Sequence, residues 1–198
     1  MDSGTSLSEL THLVELVGPP AVASRLGLAR SSAVRLMEAG LAGRLYTDGQ
    51  RVMVERELVE DLAIPVTDLD TLPPALVVRV GPPQKDTEEA KFRDKPRKWF
   101  GWNSLAHDKT DQRAGISRWW EIRDPDKLRG QLFVATVSGF TVDVARIDSQ
   151  TPATPHPANA TWELHIVDPS DGDAAADAWR DIRVKTPGGG AILRHRLD

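Results

Sequence analysis

Cysteine is absent from the 198-residue sequence, which excludes both a disulfide framework and a thiolate zinc site. No apolar stretch approaches the roughly 18 residues needed to span a bilayer, so no membrane partner is expected. The opening residues MDSGTSLSEL carry neither the basic start nor the apolar run of a secretory signal, and a cytoplasmic protein is the expectation. A positive overall field is missing as well. Lys and Arg number 25 against 29 Asp and Glu, a formal net charge of -4. Any contact with nucleic acid must therefore come from a local patch.

Catalytic and metal-binding constellations are equally scarce. His107 and Asp108 are neighbours and so point to different sides of a helix or strand, which makes them, with Asp111, a polar loop rather than a metal site or an acid–base pair. His12, His156, His165 and His195 are scattered without ligand spacing. Gly188 to Gly190 lacks the Lys-Ser or Lys-Thr of a phosphate-cradling loop and reads as a turn. Asp168, Asp171 and Asp173 around Gly172 suggest a calcium loop only faintly, because Trp179 stands where a bidentate Glu belongs. Asn159-Ala160-Thr161 would be a glycosylation acceptor only in a secreted protein. No enzyme, cofactor or metal is expected.

What is present divides the chain in two. Leu7, Leu10, Leu13, Val14 and Val17 recur at helical spacing before Gly18-Pro19-Pro20, predicting a short helix. Pro20 suits the opening of a second helix over Ala21 to Leu26, closed by Gly27. A third, about Arg30 to Ala39, carries Ala33, Leu36 and Met37 on one face and ends at Gly40. Strand-like runs at Arg44 to Tyr46 and Arg51 to Val54 flank Asp48-Gly49, a hairpin signal, and a helix over Glu55 to Ala63 follows. Residues 1–64 thus form a first domain. Pro65, Pro73 and Pro74 make 65–75 a proline-rich linker.

Residues 76–198 change character. Strands are expected at Leu76 to Val80, at Phe133 to Val137 and Phe140 to Ile147 around Ser138-Gly139, at Trp162 to Val167 and at Ala191 to Leu197. Ala174 to Arg183 reads as a helix capped by Asp173. The fold class is α+β: a small helical domain with a hairpin, then a small, mostly β domain with one or two helices.

The segment AVASRLGLARSSAVRLMEAGLAGRLYTDGQRVMVERELVEDL resembles the winged helix-turn-helix of the MerR and excisionase group. The resemblance rests on Leu26-Gly27, the tight turn, Arg30-Ser31-Ser32 opening a second helix, the Glu38-Ala39-Gly40 exit and a basic hairpin. It implies that this second helix enters the major groove of double-stranded DNA while the wing follows the phosphates. Where the family usually caps that helix with Ser or Thr, this chain has Ala29, and no long coiled coil follows, so excisionase-like use is favoured over a full MerR-type regulator. The residues themselves agree. With Ala33, Leu36 and Met37 buried, Arg30, Ser31, Ser32, Val34 and Arg35 are left for base edges and phosphates, and Arg44 and Arg51 for the wing. Between Pro20 and Arg56, six arginines face only Glu38, Asp48 and Glu55, a local excess of three positive charges.

A second cluster lies farther on. Lys91, Arg93, Lys95, Arg97 and Lys98, opposed only by Asp94, lead into Trp99-Phe100-Gly101-Trp102. Cations interleaved with rings suit a nucleic-acid strand, although a solvated basic loop ahead of core tryptophans is the favoured reading of a single such cluster. With Trp119-Trp120 and Trp162, this half is similar in pattern to the small β-barrels of the PUA, ASCH and EVE group, which implies an aromatic pocket for a nucleobase. Lys95, Arg97, Lys98, Trp99, Trp102, Trp119 and Trp120 are thus candidates for a second nucleic-acid or ligand site. The expected function is sequence-specific DNA binding, as a transcriptional regulator or recombination accessory factor. A small ligand, a base or a protein partner is left to the second domain, and a homodimer is left open. A protein-interaction adaptor is the alternative reading.

Overall fold

The computed structural model describes residues 14–85, 97–152, 161–185 and 190–197, and they form a mixed α and β structure. The first elements are β1 (Leu16–Val17), α1 (Pro19–Leu26), α2 (Arg30–Glu38), β2 (Tyr46–Asp48), β3 (Arg51–Glu55) and α3 (Arg56–Asp61). Proline occupies the opening of α1, where a missing N–H costs nothing. Gly27 closes it at φ 58°, returning its N–H to the last carbonyls. The N-cap of α2 is Ala29, with no side-chain cap bond, as its residue type requires. Gly49, at φ 58°, turns the hairpin that pairs Asp48 with Arg51 and Tyr46 with Met53. Val22, Leu26, Ala33, Leu36, Met37, Val54 and Val59 pack between these elements as one buried cluster.

Two expectations change here. Of the helix read over Leu7 to Val17, residues 7–13 lie outside the described residues, and Leu16–Val17 is a strand. It pairs with β3 at Leu16–Glu55 and Val17–Val54, completing a three-stranded sheet in the order β1-β3-β2. Pairing thereby outweighs the local helical period. The first hairpin strand starts at Tyr46 rather than at Arg44.

The remaining elements are β4 (Val66–Thr67), β5 (Ala75–Arg79), α4 (Lys109–Ser117), β6 (Arg118–Glu121), β7 (Leu132–Val137), β8 (Phe140–Pro152), β9 (Thr161–Val167), α5 (Ala174–Asp177), β10 (Arg183–Val184) and β11 (Ile192–His195). They build a sheet in the order β11-β5-β7-β8-β10-β4, while β9 pairs farther along β8 and β6 pairs with β9. β5 and β7 run parallel and β7 and β8 antiparallel. One register shift, after Ala135, lies near the β7–β8 turn; β8 then runs past its last β7 partner, Arg146, and pairs with β9, with a second shift after Ile147. The central strands are covered on both faces, which explains their unbroken apolar runs. Leu76, Val78, Phe133 and Ala135 meet Trp102, Ile116 and Leu128 on one side, and Ala75, Val77, Leu132 and Val134 meet Trp179, Ala176 and Val184 on the other.

The proline-rich stretch 65–75 is built into this sheet. β4 pairs in parallel with β10, Asp68 caps a turn at Leu69–Thr71, and Leu72 is buried with its carbonyl bonded to the His195 ring. The helix read over Ala174 to Arg183 ends at Asp177, where the chain turns so that Trp179 is fully buried and its indole N–H donates to the Pro73 carbonyl at 3.1 Å. The first and second halves also share core. Phe140, opening β8, belongs to the cluster of α1 and α2, and Ala39, closing α2, belongs to the larger cluster under the sheet. Among the described residues no helix is long and apolar enough to cross a membrane.

Candidate nucleic-acid interface

At 100° per residue, Ala33, Leu36 and Met37 fall on one side of α2 and leave Ser31, Val34 and Arg35 on the other. Arg30, Ser31 and Arg35 are exposed, and Ser32 and Val34 are half-buried. On the hairpin, Arg44 and Arg51 are exposed too. The six arginines of this half divide by partner. Arg25 is ion-paired with Glu60, and Arg56 with Glu15 at 2.7 Å. Arg30, Arg35, Arg44 and Arg51 have no carboxylate partner among the described residues. Beneath them Tyr46 donates its hydroxyl to Glu55 at 2.6 Å, a bond that raises the phenol pKa and ties β2 to β3. Glu38, exposed on the last turn of α2, and Asp48, exposed on the hairpin, are acidic residues beside these arginines.

One flank of α2 is occupied. The turn between β7 and β8 reaches it, and the Ser138 hydroxyl donates to the Ser32 carbonyl at 2.8 Å. Arg183 crosses from β10 to donate to the Leu26 carbonyl at 2.5 Å, with its guanidinium 5.1 Å from the centre of the Phe140 ring. Burial lowers the Arg183 pKa. These contacts bound a cleft of about 680 Å³ between the α1–α2 turn and the edge of the sheet. Arg35, Arg79, Arg183 and Lys185 line it, and among the described residues no carboxylate does. Arg79 is anchored by a hydrogen bond to the Gly190 carbonyl. Arg79, Arg183 and Lys185 escaped sequence reasoning because they arrive on β5 and at β10, far apart in the chain and each among unremarkable neighbours. Only the sheet order brings them to one edge.

The second predicted cluster is spread differently. Lys95 lies outside the described residues, as does the Trp119 side chain. Lys98 is engaged by Asp111 at 2.5 Å, which raises the lysine pKa. Arg97 donates to the Arg118 carbonyl at 3.3 Å and lies over the Phe100 ring. Trp102 is buried, donates its indole N–H to the Ser104 hydroxyl at 2.8 Å and belongs to the core. Trp120 is half-buried, with its indole N–H on the Ile116 carbonyl at 2.7 Å, and it stands opposite Trp162 in the β6–β9 pair. Trp99 packs its indole edge against Gly115 of α4. The aromatic lining implied for this half reduces to Trp102 and Phe140 in an apolar groove of about 370 Å³ at the junction of the halves.

Asp108, Asp168 and Asp173, weighed from sequence as ligands or caps, serve the scaffold. Asp108 caps α4 through Thr110 N–H at 2.7 Å, and Asp168 pairs with Lys109 and Arg113 at 2.5 and 2.8 Å. Asp173 caps α5 and binds Arg146. Among the described residues no group of three or more His, Cys, Asp or Glu side chains is placed to share a metal ion. No protein-family model, curated protein or solved structure matches the chain.

Proposed function

We propose that the protein binds double-stranded DNA without enzymatic activity, with α2 in the major groove and the β2–β3 hairpin along the backbone, as a winged helix-turn-helix does. The reading places it among transcriptional regulators or recombination accessory factors. One observation carries it: in a chain of net charge -4, the arginines of this half that lack a carboxylate partner among the described residues are Arg30 and Arg35 on α2 and Arg44 and Arg51 on the hairpin. An unpaired, exposed guanidinium keeps its full capacity for guanine edges and phosphates. The order of two short helices, a three-residue turn and a hairpin supports the same geometry.

The test is fluorescence anisotropy with duplexes selected from genomic fragments by the full chain. A good bidentate base contact contributes about 1–3 kcal/mol of discrimination. Arg30→Ala and Arg35→Ala should each weaken the selected duplex about tenfold or more, and should flatten its preference over a scrambled one. Arg44→Ala and Arg51→Ala should weaken both duplexes alike and lower the slope of log affinity against log salt. Equal binding by wild type and both α2 variants at moderate salt would remove α2 from the interface.

A further inference from the structure

The apolar groove lies away from the cationic cleft, where the two halves meet. Leu41, Leu62 and Ile64 line it from the first half, and Trp102, Phe140 and Ile182 from the second, around a space of about 370 Å³. That volume falls within the range of about 300–1,000 Å³ usual for small-molecule sites. Trp102 and Phe140 are buried members of the core clusters, so this floor is formed before any ligand arrives and costs little to order. Apolar walls open to water favour an apolar occupant.

The polar groups along the groove give that occupant a sign. Asp61 and Asp181 both line it, both are exposed, and neither has a cationic partner among the described residues. Arg180, adjacent to Asp181 in the chain, pairs with Asp177 instead. Asp61 ends α3, where the last carbonyls of the helix add to the negative potential. An ammonium bound beside these carboxylates is attracted by both, whereas an anion is repelled by both. The Thr141 hydroxyl, on the same wall, has no hydrogen-bond partner among the described residues, so its oxygen keeps its capacity to accept one.

We infer that this groove is a binding site for a small molecule with an apolar, ring-bearing body and an ammonium group, the body against Trp102 and Phe140 and the ammonium beside Asp61 and Asp181. None of these residues is among those proposed for the duplex, so either reading can fail without the other.

Calorimetry of the full chain with naphthylmethylamine, naphthalenemethanol and naphthoate tests the site, because the probes share a ring system and differ in charge. Ion pairs with exposed carboxylates are modest, so the amine should bind about fivefold tighter than the alcohol, and the carboxylate weakest of all. Raising the salt should narrow that difference. The double variant Asp61→Asn/Asp181→Asn keeps size and shape, and asparagine tolerates the left-handed backbone at residue 181, where φ is 51°. It should bring the amine down to the alcohol's affinity and leave the alcohol unchanged. Asp148→Asn, exposed farther along β8, should alter neither. In heteronuclear NMR spectra the amine should move the indole N–H signal of Trp102 and leave that of Trp179, on the other face of the sheet, in place. No binding of the amine, equal wild-type affinity for amine and alcohol, a preference that survives the double variant, or an unmoved Trp102 signal overturns the inference. A dimer in sedimentation that the amine disperses would give the groove to a second copy of the chain and overturn it as well.

Discussion

At single positions, the turn joining β7 to β8 makes a strict demand. Gly139 sits at φ 90°, and a Cβ there would come within 2.4 Å of the Val184 carbonyl oxygen, a backbone atom that can retreat only by moving β10. Gly139→Ala should therefore cost about 2 kcal/mol or more, the sum of strain at positive φ and a displaced strand. A melting temperature within a degree of wild type would refute that. Charge makes a different prediction at Asp173. Two bonds to Arg146, at 2.8 and 3.0 Å, and the Ala176 N–H hold its carboxyl below the usual carboxylate range. A folded-state pKa below the unfolded one gives stability that is complete above the unfolded value, about 3.9, and is lost as the pH falls from there through the lower folded value. Asp108 and Asp168 are shifted the same way, Asp108 by the Thr110 N–H and Asp168 by Lys109. Thermal melts from pH 7 to pH 3 should show Asp173→Asn below wild type at neutral pH and converging on it in acid. Parallel curves would mean that the ion pair contributes nothing.

Among the elements, legibility followed how local each cause was. α1, α2 and the hairpin were readable because their signals lie within a few residues: proline at a start, Gly27 at a stop, Asp48-Gly49 at a turn. The central strands were readable from apolar runs such as Leu132–Val137. α4 was not, since KTDQRAGIS holds Ile116 as its one large apolar residue and buries Gly115 and Ser117 beside it, so no stripe betrays the helix. β4 and β10, of two residues each, exist only through each other and through β8, and prolines around β4 hid it. The candidate site repeats the pattern. The arginines of α2 and the hairpin were found because they share a local motif, and the cleft's Arg79, Arg183 and Lys185 were missed because only sheet order unites them.

For the molecule as a whole, the shared core predicts joint melting. All six tryptophans follow residue 98 and so report on the second half, whereas far-ultraviolet ellipticity at the helical minimum draws on α1, α2 and α3 of the first half as well as on α4 and α5 of the second. The two signals should trace one coincident transition. Phe140→Ala, which empties a buried site in the cluster of α1 and α2 from a strand of the other half, should lower stability by about 3–5 kcal/mol and move both signals together. Two separated transitions in wild type would refute the coupling. The same phenyl ring bears on how the chain can be dissected. A fragment cut at the prolines after residue 64 would carry every arginine proposed for the duplex, yet it would lack the plug that fills its interior and the Arg183 cross-brace on Leu26. Failure of such a truncated piece to shift DNA would report a punctured scaffold, and point substitutions in the intact chain are the sounder probe.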